Sequence, residues 1–311
     1  MCGVWCRWQD HSCNPDWTRH IIVDFLSSTA LLDDLALDGI DVNLQCSMGR
    51  FPALQRLRIT TANQRSPTSA VSPIAQVVSH STNLTSLTLS GADDRSILSQ
   101  LWATLAREQI HLTHITAGAG DPLLAYLCSY VGLRSLTLLN PDAASSDAKA
   151  ARLADIFYSR ALPHHAHSLV GLTCRAGYRG RWNFGTHNAA AIARLRALER
   201  LHMSVDPDGI LGCVRARPGV SHPDANTAVL FLEVAAQLPV LVEVSISPPG
   251  SDSEEYAGAL NEVVARFKLH SHSPAVARRI EHAGGSGFVF FRSFTLEHRF
   301  GVREFHVTNK S

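Results

Sequence analysis

The sequence predicts an α/β solenoid, in which short strands form one curved parallel sheet and helices cover its convex side. Three observations support this prediction. An apolar-x-x-apolar-x-apolar pattern recurs along the chain, most of its copies are 21 to 36 residues apart, and amphipathic helix patterns lie between them. A spacing of about 30 residues leaves room for one strand, one helix and two loops.

Seven copies of the pattern end in the period-two alternation that is typical of a short strand. They are Leu54-Leu57-Ile59, Leu84-Leu87-Leu89, Leu112-Ile115-Ala117, Leu133-Leu136-Leu138, Leu169-Leu172-Cys174, Leu198-Leu201-Met203 and Leu241-Val244-Ile246. Leu32-Leu35-Leu37 matches the same letters, but we interpret it as the continuation of a helix predicted over residues 17–30.

The segments between the copies carry helical spacing. Apolar residues fall at i, i+3, i+4 and i+7 in the sets that start at Leu98, Ala150 and Ala228. Pro52 and Pro239 each stand two residues before a repeat leucine, where a proline can end an incoming helix. A doubly wound sheet also alternates strands and helices and is the alternative fold, but no Gly-rich phosphate loop follows any of these strands.

Both ends of the chain differ from the middle. We therefore divide it into a helical cap at 1–50, a repeat region at 51–250 and a C-terminal cap at 251–311. In the last cap, residues 253–270 read as a helix, and residues 288–300 and 302–308 read as two strands joined around Gly301. A solenoid needs such caps because its end repeats would otherwise expose the core.

Composition excludes several classes of protein. The chain has 311 residues, a net charge of +1 and 45% hydrophobic residues, which does not suit a strongly basic nucleic-acid binder. It contains no apolar run long enough for a membrane helix and no signal-peptide pattern. Seven cysteines, an odd number, do not form a disulfide framework, so we expect an intracellular protein.

No motif for catalysis or metal binding emerges. The sequence lacks a GxSxG elbow, an HExxH helix and paired CxxC motifs, so we expect neither an enzyme nor a metal or cofactor site. The three histidines His164, His165 and His167 read as exposed residues of a connector. Cys2, Cys6 and Cys13 match no zinc module and read as unpaired thiols.

The segments LPHHAHSLVGLTC, RWNF and LRALERLHMSV resemble the irregular leucine-rich repeats of fungal F-box/leucine-rich-repeat-like proteins. The resemblance covers roughly residues 51–250. It implies a leucine-rich-repeat-like solenoid that acts as the substrate-recognition part of a ubiquitin-ligase adaptor. The N-terminus contains no segment that resembles an F-box, so a ligase scaffold is expected as a partner only if that module is missing from this chain.

The outward positions of the repeat strands form the first candidate binding surface. The residues between the second and third apolar positions, and their neighbours, are hydroxyl-bearing or cationic, which suits hydrogen bonding to a peptide or an acidic partner. The candidates are Arg56, Arg58, Thr88, His114, Thr116, Arg134, Thr137 and His202. The alternative interpretation is that threonine is simply favourable on the solvated face of a strand.

A loop at residues 175–187 is the second candidate. It interleaves cations with aromatic residues, among them Arg179, Arg181 and Trp182. Such a loop can hold single-stranded RNA or a nucleotide by stacking and phosphate contacts, which is the alternative function. We favour the structural interpretation, in which Trp182 packs over the edge of a repeat. The sequence thus predicts a non-catalytic scaffold whose partner is another protein rather than nucleic acid or a membrane.

Overall fold

The structure is a computed structural model. It describes residues 3–7, 31–38, 51–60, 75, 77–91, 95–142, 146–178, 180–205, 227–247, 294–299 and 302–308. The backbone alone is described for residues 3–7, 38, 95–98, 228–229, 247, 294–299 and 302–308.

The fold is α/β, and the chain divides into two compact units, Met1–Leu139 and Asn140–Ser311. The elements of the first unit are β1 (Gly3–Arg7), β2 (Asp34–Asp38), β3 (Arg56–Thr60), β4 (Ser86–Ser90), α1 (Arg95–Arg107), β5 (His114–Gly118), α2 (Asp121–Leu127) and β6 (Ser135–Leu139). Those of the second are α3 (Asp147–Ile156), a π turn (Phe157–Ala161), α4 (Leu162–His164), β7 (Gly171–Arg175), α5 (Thr186–Ile192), β8 (Arg200–Ser204), α6 (Thr227–Ala236), β9 (Glu243–Ser247), β10 (Phe294–Arg299) and β11 (Val302–Thr308).

The described strands of the first unit pair in sequence order, from β1 to β6, and all run parallel. Their register aligns equivalent positions of successive repeats. The second apolar position forms one row across the sheet, and every side chain in it is at most 2% exposed. That row is Leu35, Leu57, Leu87, Ile115 and Leu136. Burial of each such side chain contributes about 1.5–3 kcal/mol relative to exposure, so the row anchors the core of this unit.

The second unit begins with parallel strands in sequence order and ends with two antiparallel strands. Strands β7, β8 and β9 are parallel, and Leu172, Leu201 and Val244 continue the buried second-position row among themselves. Strand β11 pairs antiparallel with β9, and β10 pairs antiparallel with β11. The C-terminal pair of strands predicted around Gly301 is therefore confirmed. Neither unit shows, among its described strands, the reversal of order that a doubly wound sheet requires.

Each repeat strand begins with the same backbone arrangement. The carbonyl of Gln55 accepts hydrogen bonds from both Thr85 N–H and Ser86 N–H, at 2.9 and 3.0 Å. The same double acceptance occurs at every pair from β2 to β6 and at both parallel pairs of the second unit. The accepting carbonyls belong to Asp33, Gln55, Thr85, Thr113, Val170 and Glu199. The strands thus repeat in three dimensions as well as in sequence.

The helices predicted from the spacing of apolar residues are confirmed. Leu101, Trp102 and Leu105 are buried on α1, and Phe231 and Leu232 are buried on α6. The set that starts at Ala150 is buried on α3 and continues into the π turn. No helix in the described part of the chain is long and apolar enough to cross a membrane.

The N-terminal prediction needs correction. Residues 1–50 are not purely a helical cap, because β1 and β2 lie within them as parallel strands. Leu32-Leu35-Leu37 is a true repeat: Leu35 and Leu37 align with Leu57 and Ile59, and both are buried. The predicted helices at 17–30 and 253–270 lie outside the described residues.

The boundary between the two compact units falls between Leu139 and Asn140, inside the region 51–250 that was predicted as one domain.

A tyrosine hydrogen-bond network closes the connection between α1 and β5. The buried Tyr126 hydroxyl donates to the Ile110 carbonyl at 2.6 Å and accepts from the Leu112 N–H at 3.0 Å. The Tyr130 hydroxyl donates to the Leu112 carbonyl at 2.9 Å, and its ring lies 4.9 Å from that of Tyr126. Since a buried backbone group without a partner is costly, one tyrosine side chain stabilises this connection at two points.

We expect Tyr126→Phe to lower the free energy of unfolding by about 1–3 kcal/mol, because it leaves both Ile110 O and Leu112 N–H without this partner. Urea denaturation of the variant and the wild type measures the difference. Tyr178→Phe is the matched control, since that side chain is 68% exposed and should change stability little. Equal effects of the two substitutions would contradict the structural role given to the Tyr126 hydroxyl.

Candidate binding face

The polar positions of the first unit form an open face on its sheet. We call the face of β3 to β6 that carries Arg58, Thr88, Thr116 and Thr137 the hydroxyl face. These four residues are register partners in adjacent strands and alternate with buried apolar residues. Because neighbouring strands lie about 4.8 Å apart, the four positions form a row that spans about 14 Å.

All four side chains of the row are at least partly exposed to solvent. Arg58 is exposed, and the three threonines are partly exposed. None of the four side chains forms a hydrogen bond or ion pair with any described residue. Beside them, Ser90 Oγ donates to Thr60 Oγ1 at 3.1 Å, so one neighbouring pair of hydroxyls is already joined. The free hydroxyls can each donate and accept a hydrogen bond, and Arg58 can donate several.

Arg56 is held differently from Arg58. Its Nε donates to Asp34 Oδ2 at 2.9 Å, across the pairing of β2 with β3. The hydrogen bond and the charge of Asp34 raise the pKa of Arg56 above its ordinary value. Arg56 lies two residues before Arg58 on β3, but its ion pair with Asp34 means that it adds little net charge to the surface.

Two further predicted residues lie near the edge of the hydroxyl face. His114 is exposed at the start of β5, and its Nδ1 lies 2.9 Å from Thr113 Oγ1. Arg134 is exposed but does not belong to the strand row, which corrects the prediction: Ser135 pairs with His114, and Arg134 precedes β6. As in β3 and β5, the strand begins two residues after the repeat leucine, so the outward position of this repeat is Ser135.

In the second unit two outward basic residues of β8 lie beside glutamates. His202 Nε2 lies 2.9 Å from Glu243 Oε1, and Arg200 lies 3.6 Å from Glu199. Two outward hydroxyl residues, Ser204 and Ser245, are buried. The structure therefore places His202 in a compensated, partly covered environment rather than on an open surface with Arg58.

The loop at 175–187 is a structural element. Trp182 is 1% exposed, and its ring lies 5.5 Å from that of Phe157; Phe184 is also fully buried. Trp182 therefore cannot stack on a base, and its assignment as a binding residue is wrong, whereas the interpretation that it packs over a repeat is confirmed. Arg181 is exposed and pairs with Asp155 at 2.5 Å. Arg179 lies outside the described residues.

Sequence reasoning missed the side chains that hold this loop. Asp142 accepts hydrogen bonds from Gly177 N–H at 3.1 Å and Tyr178 N–H at 2.6 Å. Asn183 donates to the Tyr178 carbonyl, and Asn188 donates to the Asn183 carbonyl, both at 3.0 Å. Asp142 lies 35 residues from the loop in sequence, so no local motif could have identified it.

A buried thiol lies under the loop. Cys174 Sγ is 3.7 Å from both Tyr158 Oη and the Trp182 carbonyl. Burial raises the pKa of Cys174 to about 12, and it raises the pKa of Tyr158 well above its ordinary value. A protonated, inaccessible thiol is a poor nucleophile, so Cys174 is a packing residue.

The described residues contain no group of metal-ligand side chains that could hold an ion. The predicted connector histidines are not all exposed: His165 is 1% exposed, which corrects that interpretation, while His164 and His167 are at the surface. Cys6 lies in β1, and Cys2 and Cys13 lie outside the described residues.

No protein-family model matches this chain, and no curated protein matches it significantly.

We expect Asp142→Ala to lower the free energy of unfolding by about 1–3 kcal/mol, because two N–H groups of the loop lose their acceptor. Asp142→Asn, which keeps one acceptor oxygen, should recover part of the loss. Asp155→Ala is the contrast, because it removes only the exposed pair with Arg181 and should cost less than about 1 kcal/mol. Chemical denaturation measures all three, and a larger loss for Asp155→Ala would contradict this account.

The buried thiol and tyrosines make stability depend on alkaline pH. A group whose pKa is raised in the folded state favours folding while it is protonated. The contribution of Cys174 is therefore complete below its ordinary pKa of 9.0 and is lost as pH rises toward about 12. Tyr126, whose pKa is raised by burial from 10.0 to about 12, adds to the loss above pH 10.

We expect the free energy of unfolding to be constant up to about pH 9 and then to fall, by at most about 1.4 kcal/mol per pH unit for each group. Cys174→Ser removes the thiol but keeps a donor for the Trp182 carbonyl. The free energy of unfolding of this variant should therefore begin to fall nearer pH 10. Denaturation series from pH 7 to 11 measure the two curves. If the free energy of unfolding begins to fall at the same pH in the wild type and in Cys174→Ser, Cys174 does not contribute to the pH dependence.

Proposed function

We propose that this protein is a non-catalytic protein-interaction scaffold that binds a partner on the hydroxyl face. The observation that carries the proposal is the in-register row of Arg58, Thr88, Thr116 and Thr137, whose side chains have no partner among the described residues. A stable fold does not require four adjacent strands to present free donors in one row.

The repeats support a leucine-rich-repeat-like architecture within each unit. Buried leucines recur at the same register positions, and the double acceptance by one carbonyl marks the start of successive strands. Stacked strand–helix repeats of this kind present one face of their sheet to a partner. We therefore propose that the strands of the first unit form the curved sheet of a solenoid and that the hydroxyl face is its concave side.

The closest role, by resemblance of the repeats, is the substrate-recognition part of an F-box-type ubiquitin-ligase adaptor inside the cell. In that role the hydroxyl face would hold the substrate. Cys128 and Cys174 are free thiols, which is compatible with a reducing compartment.

The arrangement of side chains favours binding over hydrolysis. Ser245 is the register partner of His202, and His202 contacts Glu243, so serine, histidine and carboxylate lie close together. However, Ser245 Oγ is buried and has no hydrogen-bond partner, so His202 is not positioned to take its proton.

Two substitutions test the proposed surface: a charge reversal at Arg58 and the replacement of Thr116 by the larger lysine. The tagged wild type, Arg58→Glu and Thr116→Lys would each be expressed in cells of the source organism, crosslinked and captured for mass spectrometry. We expect both variants to recover the principal partner at least fivefold less than the wild type does. A ubiquitin-ligase scaffold among the captured proteins would support the adaptor role.

Arg107→Glu is the matched control, since it reverses the charge of an exposed arginine on α1 of the same unit. It should capture the partner as the wild type does, and circular dichroism should show that every variant is folded. Partner recovery that is the same for wild type, Arg58→Glu and Thr116→Lys would contradict binding at the hydroxyl face.

A further inference from the structure

The sheet of the second unit ends at a strand with one edge that no described strand covers. Among the described strands, β10 pairs with β11 alone and stands last in the order of the sheet. An edge strand presents a row of backbone N–H and C=O groups to another chain, and proteins often blunt such an edge with lysine, proline or a bulge. Phe294–Arg299 contains neither lysine nor proline and pairs with β11 without a break. This edge is therefore suited to the addition of a strand.

Two opposite charges lie on one face of β10. Glu297 and Arg299 are two residues apart, and alternate residues of a strand share a face. The register with β11 places Glu297 opposite Glu304, a pair of like charges, whereas Arg299 lies opposite Val302. Like charges directly opposite each other destabilise a sheet. An added strand that sets a cation opposite Glu297 would therefore offset this pair.

A second copy of β10 can supply that cation. When two copies pair antiparallel about a two-fold axis perpendicular to the sheet, residues of the same face oppose each other and the axis passes through one residue. An axis at Glu297 or at Arg299 sets like charges against each other. An axis at His298 instead sets Glu297 of each copy opposite Arg299 of the other. Of these three registers, only the one centred on His298 is complementary in charge.

We propose that this protein forms a two-fold symmetric dimer in which β10 of one copy pairs antiparallel with β10 of the other, centred on His298. The pairing joins the second units of two copies into one sheet and forms two symmetric pairs of opposite charge. Strand β1 does not suit this role, because Arg7 is the only charged residue of Gly3–Arg7 and no register between two copies sets an opposite charge against it. The proposal is independent of the hydroxyl face, which lies in the first unit.

Analytical ultracentrifugation of charge-reversed variants tests the proposal on the full chain. The mass of the wild type should rise with concentration from that of one copy to that of two. Glu297→Arg sets arginine against arginine at both pairs, and Arg299→Glu sets glutamate against glutamate, so each variant should dimerise at least tenfold more weakly. The double variant Glu297→Arg/Arg299→Glu regains opposite charges and should dimerise as the wild type does.

A mixture of the two single variants separates direct contact from an effect on folding. In a mixed dimer, one copy supplies two arginines and the other supplies two glutamates, so both pairs of opposite charge are regained. We expect an equimolar mixture to form a heterodimer at concentrations where each variant alone stays monomeric. Arg107→Glu, a charge reversal on α1 of the other unit, is the matched control and should dimerise as the wild type does.

Three results would overturn the proposal. The first is a wild type that stays monomeric up to the limit of its solubility. The second is growth beyond two copies, which indicates head-to-tail contacts rather than a closed two-fold pair. The third is a mixture of Glu297→Arg and Arg299→Glu that stays monomeric, or dimers that neither single reversal weakens.

Discussion

At the start of each repeat strand, one backbone carbonyl accepts hydrogen bonds from two successive N–H groups of the next strand, as Gln55 does from Thr85 and Ser86. This arrangement accompanies every parallel pair from β2 to β6 and from β7 to β9, and it fixes the register of each. Side chains alternate between the two faces of a strand, so a slip of one residue would turn Leu87 outward and Thr88 into the core. The buried leucine rows and the outward polar rows are thus two consequences of one register.

The same register permits different surfaces in the two units. Its inward positions must be apolar, whereas its outward positions are limited only by solvent and by the groups that pack over them. In the second unit, a loop fastened by Asp142 covers part of the sheet: Ala176 N–H donates to the buried Ser204 Oγ at 2.8 Å. In the first unit the equivalent rows stay open, which is why the candidate site lies there.

Sequence predicted those features that depend on local periodicity. The seven repeat strands, the three helices and the C-terminal pair of strands follow from apolar spacing alone. Leu32-Leu35-Leu37 was misassigned because its letters fit both a strand and the end of a helix, and only its pairing with β3 distinguishes the two. Arg134 was wrongly assigned to the outward row, because it follows its repeat leucine by one residue, whereas Arg56 and His114 follow theirs by two. The burial of Trp182 was anticipated, but the hydrogen bonds that hold its loop join residues distant in sequence.

The composition of the outward rows cannot be explained by strand propensity alone. Threonine is favourable in strands, so Thr88, Thr116 and Thr137 by themselves would indicate only a solvated face. Propensity does not account for Arg58, a cation that has no acidic neighbour on β3 to β6. On the paired strand β2, Asp34 and Asp38 flank Ala36, the register partner of Arg58, so the hydroxyls of Thr88, Thr116 and Thr137, rather than a net charge, distinguish this row.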